Sequence, residues 1–244
     1  MRLRLEIVTA AKELPWERVL APGRALAYNL LAETVPELGR QLHQAGWGVN
    51  RMVPFGHSAP VFAAAPRQRG RYAAGGPGVV EFGSPVPEVV AGFARALRKR
   101  ELLDWGGVAF RLTRVSAVAP PEFADGTARF RTATPVVMKG SGRTPTGERT
   151  TRQAWLLPGD DEYPTYLAQN LQRKLETLDL PGKALLEAVT WVGPKRSFAV
   201  GGGLKPGAPI EVQLRGDPEA LQAIWSWGLG QANSAGFGWI ITAR

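Results

Sequence analysis

The sequence predicts an α+β protein made of two tandem ferredoxin-like domains, each running β-α-β-β-α-β. Three observations lead there. Stretches with apolar residues at every second position alternate with stretches whose apolar residues recur every three to four positions. That order of elements occurs twice, with Pro120-Pro121 between the two runs. The chain has 244 residues, 44% of them apolar, which is material for two cores of ordinary size. The boundary is therefore expected after residue 119, giving domains 1–119 and 120–244.

In the first run, residues 2–8 place Leu3, Leu5 and Ile7 on one face and Arg2, Arg4 and Glu6 on the other, as a half-buried strand does. Residues 23–44 carry Leu26, Leu30, Leu31, Val35, Leu38 and Leu42 at helical spacing, with Pro36 splitting the region or opening a second helix. A turn at Gly46–Gly48 leads to a strand over 51–62, interrupted by Pro54, and then to a short strand at 78–83. Residues 86–103 read as an amphipathic helix with Arg95, Arg98, Lys99 and Arg100 outward. Alternation returns over 107–118. In the second run, a strand over 127–138 precedes a basic, apolar-poor loop at 139–152 and a helix over 163–179 with Tyr166, Leu167, Leu171, Leu175 and Leu178 on one face. Strands at 185–200 and 209–214, a helix over 217–227 and a last strand at 237–243 complete it.

Composition narrows the chemistry. The chain has no cysteine, which removes disulfides, thiolate metal sites, iron–sulfur clusters and cysteine nucleophiles. Its two histidines, His43 and His57, are too few for an imidazole-rich metal centre, so no metal or other cofactor is expected. No apolar run reaches the roughly 20 residues of a membrane helix, and MRLRLEIVTA alternates where a signal peptide would be continuously apolar. A cytoplasmic location away from membranes is the expectation. The formal net charge is +9, and residues 51–150 hold 15 basic against 7 acidic side chains. Arginine dominates the basic set, and its planar fork suits phosphate and can stack on bases. Nucleic acid is the partner this pattern favours.

The most specific segment is GLGQANSAGFGW, residues 228–239. Phosphate loops and dinucleotide fingerprints lie between a strand and the helix that follows, whereas here the helix comes first and no Gly-Lys-Ser/Thr is present. A helix-to-strand connection and a backbone-amide cradle for an anion both remain open. The Gly201-Gly202-Gly203 run fits a hairpin or bulge.

GLGQANSAGFGWI resembles the C-terminal glycine-rich motif of the CRISPR-associated repeat-RNA endoribonucleases, the Cas-six family within the RAMP superfamily. The shared features are Gly-hydrophobic-Gly (Gly228 to Gly230), a polar stretch with Asn233 and Ser234, then Gly236-Phe237-Gly238 and a closing strand. Upstream, RQLHQAGW followed by Pro54-Phe55-Gly56-His57-Ser58 is similar to the family's N-terminal segment.

The resemblance implies metal-independent cutting of CRISPR precursor RNA within its repeats to release mature guide RNAs. The RNA's own 2′-hydroxyl attacks the adjacent phosphate, leaving a 2′,3′-cyclic phosphate and a 5′-hydroxyl. It places His43 at the catalytic histidine and Tyr28, fifteen residues upstream, at the tyrosine some members pair with it. Six residues downstream, where those members carry lysine, stands Val49; Arg51 is the nearest basic side chain and would serve as an electrostatic clamp. By residue type alone, His43 also fits a cation at a helix C-terminus, and Tyr28 a core tyrosine. His57 is the second candidate histidine. RNA contacts are expected at Arg129, Arg131, Lys139, Arg143, Arg149 and Arg152, with the glycine-rich loop at the domain junction. CRISPR repeat RNA, folded or single-stranded, is the implied partner; effector-complex subunits and a second copy of the chain are further ones. The competing reading is a non-catalytic RAMP subunit that holds crRNA in an effector complex.

Overall fold

The computed structural model describes residues 1–66, 69–140, 155–200 and 203–242. The first half comprises β1 (Arg2–Thr9), β2 (Glu13–Leu14), α1 (Ala21–Thr34), α2 (Pro36–Gln44), β3 (Gly56–His57), β4 (Tyr72–Ala73), β5 (Gly76–Gly83), α3 (Pro87–Leu97), β6 (Leu102–Asp104) and β7 (Ala109–Val118). The second comprises β8 (Thr127–Thr132), β9 (Met138–Lys139), β10 (Trp155–Leu156), α4 (Tyr163–Thr177), β11 (Ala184–Val192), β12 (Arg196–Val200), β13 (Gly203–Gly207), β14 (Ile210–Gly216), α5 (Pro218–Trp227) and β15 (Ile240–Thr242).

The two main sheets share one topology. The first is ordered β3-β5-β1-β7-β6 and the second β11-β14-β8-β15. Counting only the strands of each β-α-β-β-α-β unit, both read 2-3-1-4, and every neighbouring pair is antiparallel. This is the ferredoxin-like arrangement, used twice. Each sheet packs its apolar face on its own helices. Leu3, Leu5, Ile7, Val80 and Phe82 meet Leu26, Leu30, Leu31, Val89, Val90 and Phe93 in the first core. Phe130, Val212, Leu214 and Ile240 meet Leu167, Leu171, Leu175, Leu221 and Ile224 in the second.

Several elements differ from the sequence reading, each for a local reason. Pro36 does split the first helical region, because the residue before a proline is pushed out of the α conformation; Val35 sits at φ −145°. The strand expected over 51–62 shrinks to β3, with Val61 adding one isolated bridge to Val79. The helix expected to run to 103 stops at Leu97, and Leu102–Asp104 turns back as an edge strand on β7 with only Leu103 inward. The 127–138 strand ends at Thr132, just before Pro135, which cannot donate to a ladder. Gly193-Pro194 likewise cuts 185–200 into β11 and β12. β12 pairs antiparallel with β13, Val200 opposite Gly203, and Gly201 and Gly202 lie outside the described residues. The last strand is confined to Ile240–Thr242. Among the described residues no helix is long and apolar enough to cross a membrane.

The halves are stitched together by buried polar contacts. The Arg2 guanidinium, fully enclosed, lies over the rings of Trp225 and Trp239 at 4.2 and 3.9 Å and donates to the carbonyls of Trp225 and Ile240. The Trp227 indole donates to the Val53 carbonyl at 2.9 Å. Phe198, Val137, Ala235 and Phe237 of the second half complete the first core.

Candidate functional site

Helix α2 ends in Leu42-His43-Gln44, and the inward position is Leu42; His43 therefore faces solvent in the last turn. Its ring packs edge-on against Tyr28 of α1, with centroids 4.9 Å apart at 77°. Tyr28 leans in turn on buried Phe55 at 5.4 Å, and Phe55 on Phe93 at 5.8 Å. A line of rings thus runs from the first core to the surface and ends in the imidazole. Two helices separated by Pro36 make this possible, since α1 and α2 pack side by side and present Tyr28 and His43 to each other.

One turn before Tyr28, exposed Arg24 lays its guanidinium over the Tyr28 ring at 5.6 Å. Burial pushes the Tyr28 phenol above its ordinary range, and the Arg24 side chain pulls partly back. The hydroxyl is enclosed without a well-formed hydrogen bond, so it does not open onto the surface that His43 faces. Arg51 occupies a left-handed turn position, φ 51°, in the Gly46–Met52 loop that follows α2, and among the described residues no hydrogen bond, ion pair or ring contact joins it to His43 or Tyr28. Val49 is 80% exposed in the same loop.

The charge of Arg24 is also felt by a cation of the second half. Lys205 on β13 is half-buried, and its proton affinity is lowered first by burial, then by the charges of Lys139 and Arg24. Lys139 on β9 lies 5.3 Å from the Trp155 ring of β10. Sequence reasoning selected Lys139 but missed Arg24 and Lys205. Arg24 was within reach, because it stands four residues before Tyr28 on one helical face. Nothing local marks Lys205; only the hairpin's docking brings it there.

His57 belongs to another environment. It is fully buried between Phe82 and Trp105, and a side chain at Gly23 or Gly236 would collide with its ring. Nδ1 is 3.0 Å from the Ser58 carbonyl oxygen, which can only accept, so Nδ1 carries the proton and Nε2 is left unpartnered. Burial lowers its pKa to about 4. His57 is a core residue.

The glycine-rich loop is held mainly by its own backbone. The amides of Gly228, Leu229, Gln231, Ala235, Gly236 and Gly238 donate to the carbonyls of Ile224, Gly238, Val137, Ala232, Asn233 and Pro135. Asn233, buried, donates to Leu229 and Phe237 carbonyls and accepts from fully buried Lys174 at 2.5 Å; Ser234 is buried too. These bonds tie the loop to α5 and to the segment before β9, and Ala235 and Phe237 pack into the first core, so it serves as a joint between the halves.

Arg129 and Arg131 project from the outer face of the second sheet. Arg129 is held by Glu211 at 2.5 Å, and Arg131 stacks on Trp191 at 4.2 Å. Arg143, Arg149 and Arg152 lie outside the described residues. Among the described residues no group of three or more His, Cys, Asp and Glu converges as a metal ligand set.

Two ferredoxin-like units with a buried glycine-rich helix-to-strand loop of the second packed against the first define the class of fold. The comparisons are consistent with that class. A solved structure of a CRISPR-associated Cas6 protein superposes with a TM-score of 0.78 at 20% identity, covering 100% of this chain and 99% of that one. A RAMP protein described as binding different RNA substrates gives 0.81 at 15% identity, covering 100% of both chains. A Cas6-related protein from Pyrococcus furiosus gives 0.79 at 14%, covering 100% and 98%. No curated protein matches. The profile of CRISPR-associated protein Cas6, C-terminal, matches residues 118–241, and the chain belongs to the Cas6 family.

Proposed function

We propose that this protein is a cytoplasmic, metal-independent endoribonuclease that cuts CRISPR precursor RNA within its repeats. The observation that carries the reading is the exposed His43 ring braced by Tyr28, with the Arg24 guanidinium over the same Tyr28 ring and positive charge from the second half close enough to act on it. Cleavage by the RNA's own 2′-hydroxyl needs a base for that proton and fixed positive charge for the crowded phosphorane. His43 supplies the base, since imidazole is the side chain suited to proton transfer near neutrality. Tyr28, with its hydroxyl enclosed, positions the ring and leaves proton transfer to others. Arg24 takes the electrostatic role that sequence position had pointed to in Arg51. The reading divides the chain into units 1–119 and 120–244, the first carrying His43 and the second contributing Lys139 and the arginines of the outer sheet face.

Repeat RNA labelled at one end and incubated with the protein in EDTA tests this. Site-specific cutting with a 2′,3′-cyclic phosphate terminus is expected. His43→Ala is expected to slow it by about 10²–10⁴-fold with RNA binding intact. One observation favours a binding-only RAMP subunit: the position of the family lysine is a solvent-exposed Val49. Tight binding without cutting by the unmutated protein would establish that alternative.

A further inference from the structure

We propose that the cleft beside Trp16 is a subsite for one unpaired nucleotide of the RNA, its base on the indole and its phosphate at Arg196; this rests on the RNA-binding part of the reading above and holds whether or not the chain cuts. The cleft, of about 510 Å³, is lined by Trp16, Val61, Phe62, Arg71 and Tyr72 of the first half and by Arg196 of β12. That volume is ordinary for a small-ligand site. Each ring is fixed by contacts of its own. Phe62 is buried edge-on against Phe110, with centroids 5.7 Å apart. The Tyr72 hydroxyl donates to the Pro60 carbonyl at 2.6 Å, and the Trp16 indole donates to the Gly70 carbonyl at 2.8 Å. Trp16 meets Tyr72 edge-on at 5.4 Å and 84°, and Phe198 of β12 at 6.0 Å and 57°. Neither neighbour lies flat on the indole, and Trp16 stays 40% exposed. The result is a rigid aromatic surface, with its polar tips already used, left open to an occupant.

The chemistry of the lining selects the occupant. Its charged members are two arginines, and among the described residues no carboxylate lines the cleft. Arg196 is exposed, and among the described residues no ion pair joins it to a carboxylate. Arg71 pairs with Glu13 at 3.1 Å, but both side chains are more than half exposed, so water weakens the pair and a phosphate can compete for the guanidinium. An aromatic face with guanidinium groups at its rim is how proteins hold single-stranded nucleic acid, since every base offers a π-face and arginine meets the backbone. A base within a stem has both faces covered by its own stack, so the nucleotide that fits here is unpaired. The cleft stands apart from the candidate chemistry. Trp16 precedes α1, and the rings that touch Tyr28 are those of His43 and Phe55, neither of which lines the cleft. A nucleotide held here is therefore not the reacting one, and the cleft serves affinity and register.

Binding is read by fluorescence anisotropy on repeat RNA with deoxyribose at the cut position, which cannot supply the attacking hydroxyl; a chain that only binds needs no such change. Trp16→Ala is expected to weaken binding about tenfold, and Trp16→Phe, which keeps a ring, to recover most of the loss. Placing a single abasic site at each position of the RNA in turn should find one that costs the unmutated protein a similar factor and costs Trp16→Ala nothing further. Exchanging the base at that position should cost far less than removing it, because stacking tolerates any base. Arg196→Ala should weaken binding by a smaller factor and reduce its salt dependence by about one phosphate contact. If Trp16 only props up the fold, its loss will weaken every abasic RNA equally, and the subsite is overturned. Full affinity of Trp16→Ala overturns it too and leaves the cleft to a protein partner. Either result leaves the endoribonuclease reading standing, whereas an unmutated protein that binds no repeat RNA ends both.

Discussion

The two histidines show how one residue type is put to opposite uses within a single fold. His57 is sealed at the joint between the halves, its ring pressed against Gly23 and Gly236 where any side chain would collide. His43 stands at a helix end in solvent with its ring against Tyr28. The difference lies in what surrounds each ring: glycines admit one into the core, and a proline-split helix pair holds the other at the surface. Burial at the joint contributes stability, and exposure at the surface leaves an imidazole available for chemistry. Substitutions should therefore separate the two regions cleanly, with the joint failing in unfolding experiments and the surface site failing in cleavage.

The largest stability effect is expected at the joint. Gly238 has φ +64°, and a Cβ there would overlap the Leu229 carbonyl oxygen. Left-handed strain in a non-glycine residue costs roughly 1–2 kcal/mol and overpacking a further 1–3. Gly238→Ala should lose about 3 kcal/mol or more in urea unfolding. His43→Ala should stay within about 0.5 kcal/mol, as exposed substitutions do. Comparable losses for both would erase the contrast between joint and surface site.

The next effect is a pH dependence that belongs to His57 alone. Its pKa is lowered from 6.5 to about 4 in the folded chain, so between those values the unfolded chain binds a proton that the folded chain refuses. Stability should therefore fall as pH drops from about 6.5 to about 4, by roughly 3 kcal/mol in full, and be unaffected by this group above that range. His57→Leu should flatten the slope relative to the unmutated protein, in which the carboxylates titrate alike. Parallel slopes for the two proteins would mean that the ring is not enclosed.

Much of this architecture was written in local patterns, and the failures are instructive. Alternation marked β1, β7 and β14, and the helical spacing of leucines marked α1 and α4, because each of those elements buries one regular face. The short strands β2, β4, β10 and β13 carry no such face; partners distant in sequence decide them, as with Leu14 opposite Tyr72. The pair Tyr28 and His43 was legible through its motif spacing, and the structure brings the two rings into contact. Arg51 was selected by proximity along the chain, whereas Arg24, one helical turn before Tyr28, is the cation whose guanidinium lies over the Tyr28 ring. The glycine-rich loop was the most specific segment in the sequence, and its glycines relieve crowding between two cores. Motif specificity there reflects packing, which tolerates fewer residue types than an exposed surface does.

The smallest predicted effect distinguishes the two arginines on the outer face of the second sheet. Arg129 is neutralised by Glu211, whose carboxyl is held below its usual range first by the hydrogen bond from Arg129 and less strongly by the charge of Arg131. Arg131 instead stacks on Trp191, leaving its charge able to meet a phosphate. If RNA crosses this face, Arg131→Ala should weaken binding at every salt concentration and reduce the steepness of the salt dependence by about one phosphate contact. Arg129→Ala should change the salt dependence less, because Arg129 is already paired with Glu211 and is less available to a phosphate. Filter binding across a salt series reads both. Unchanged slopes in both variants would move the RNA off this sheet, onto surfaces such as the one around Arg24 and His43.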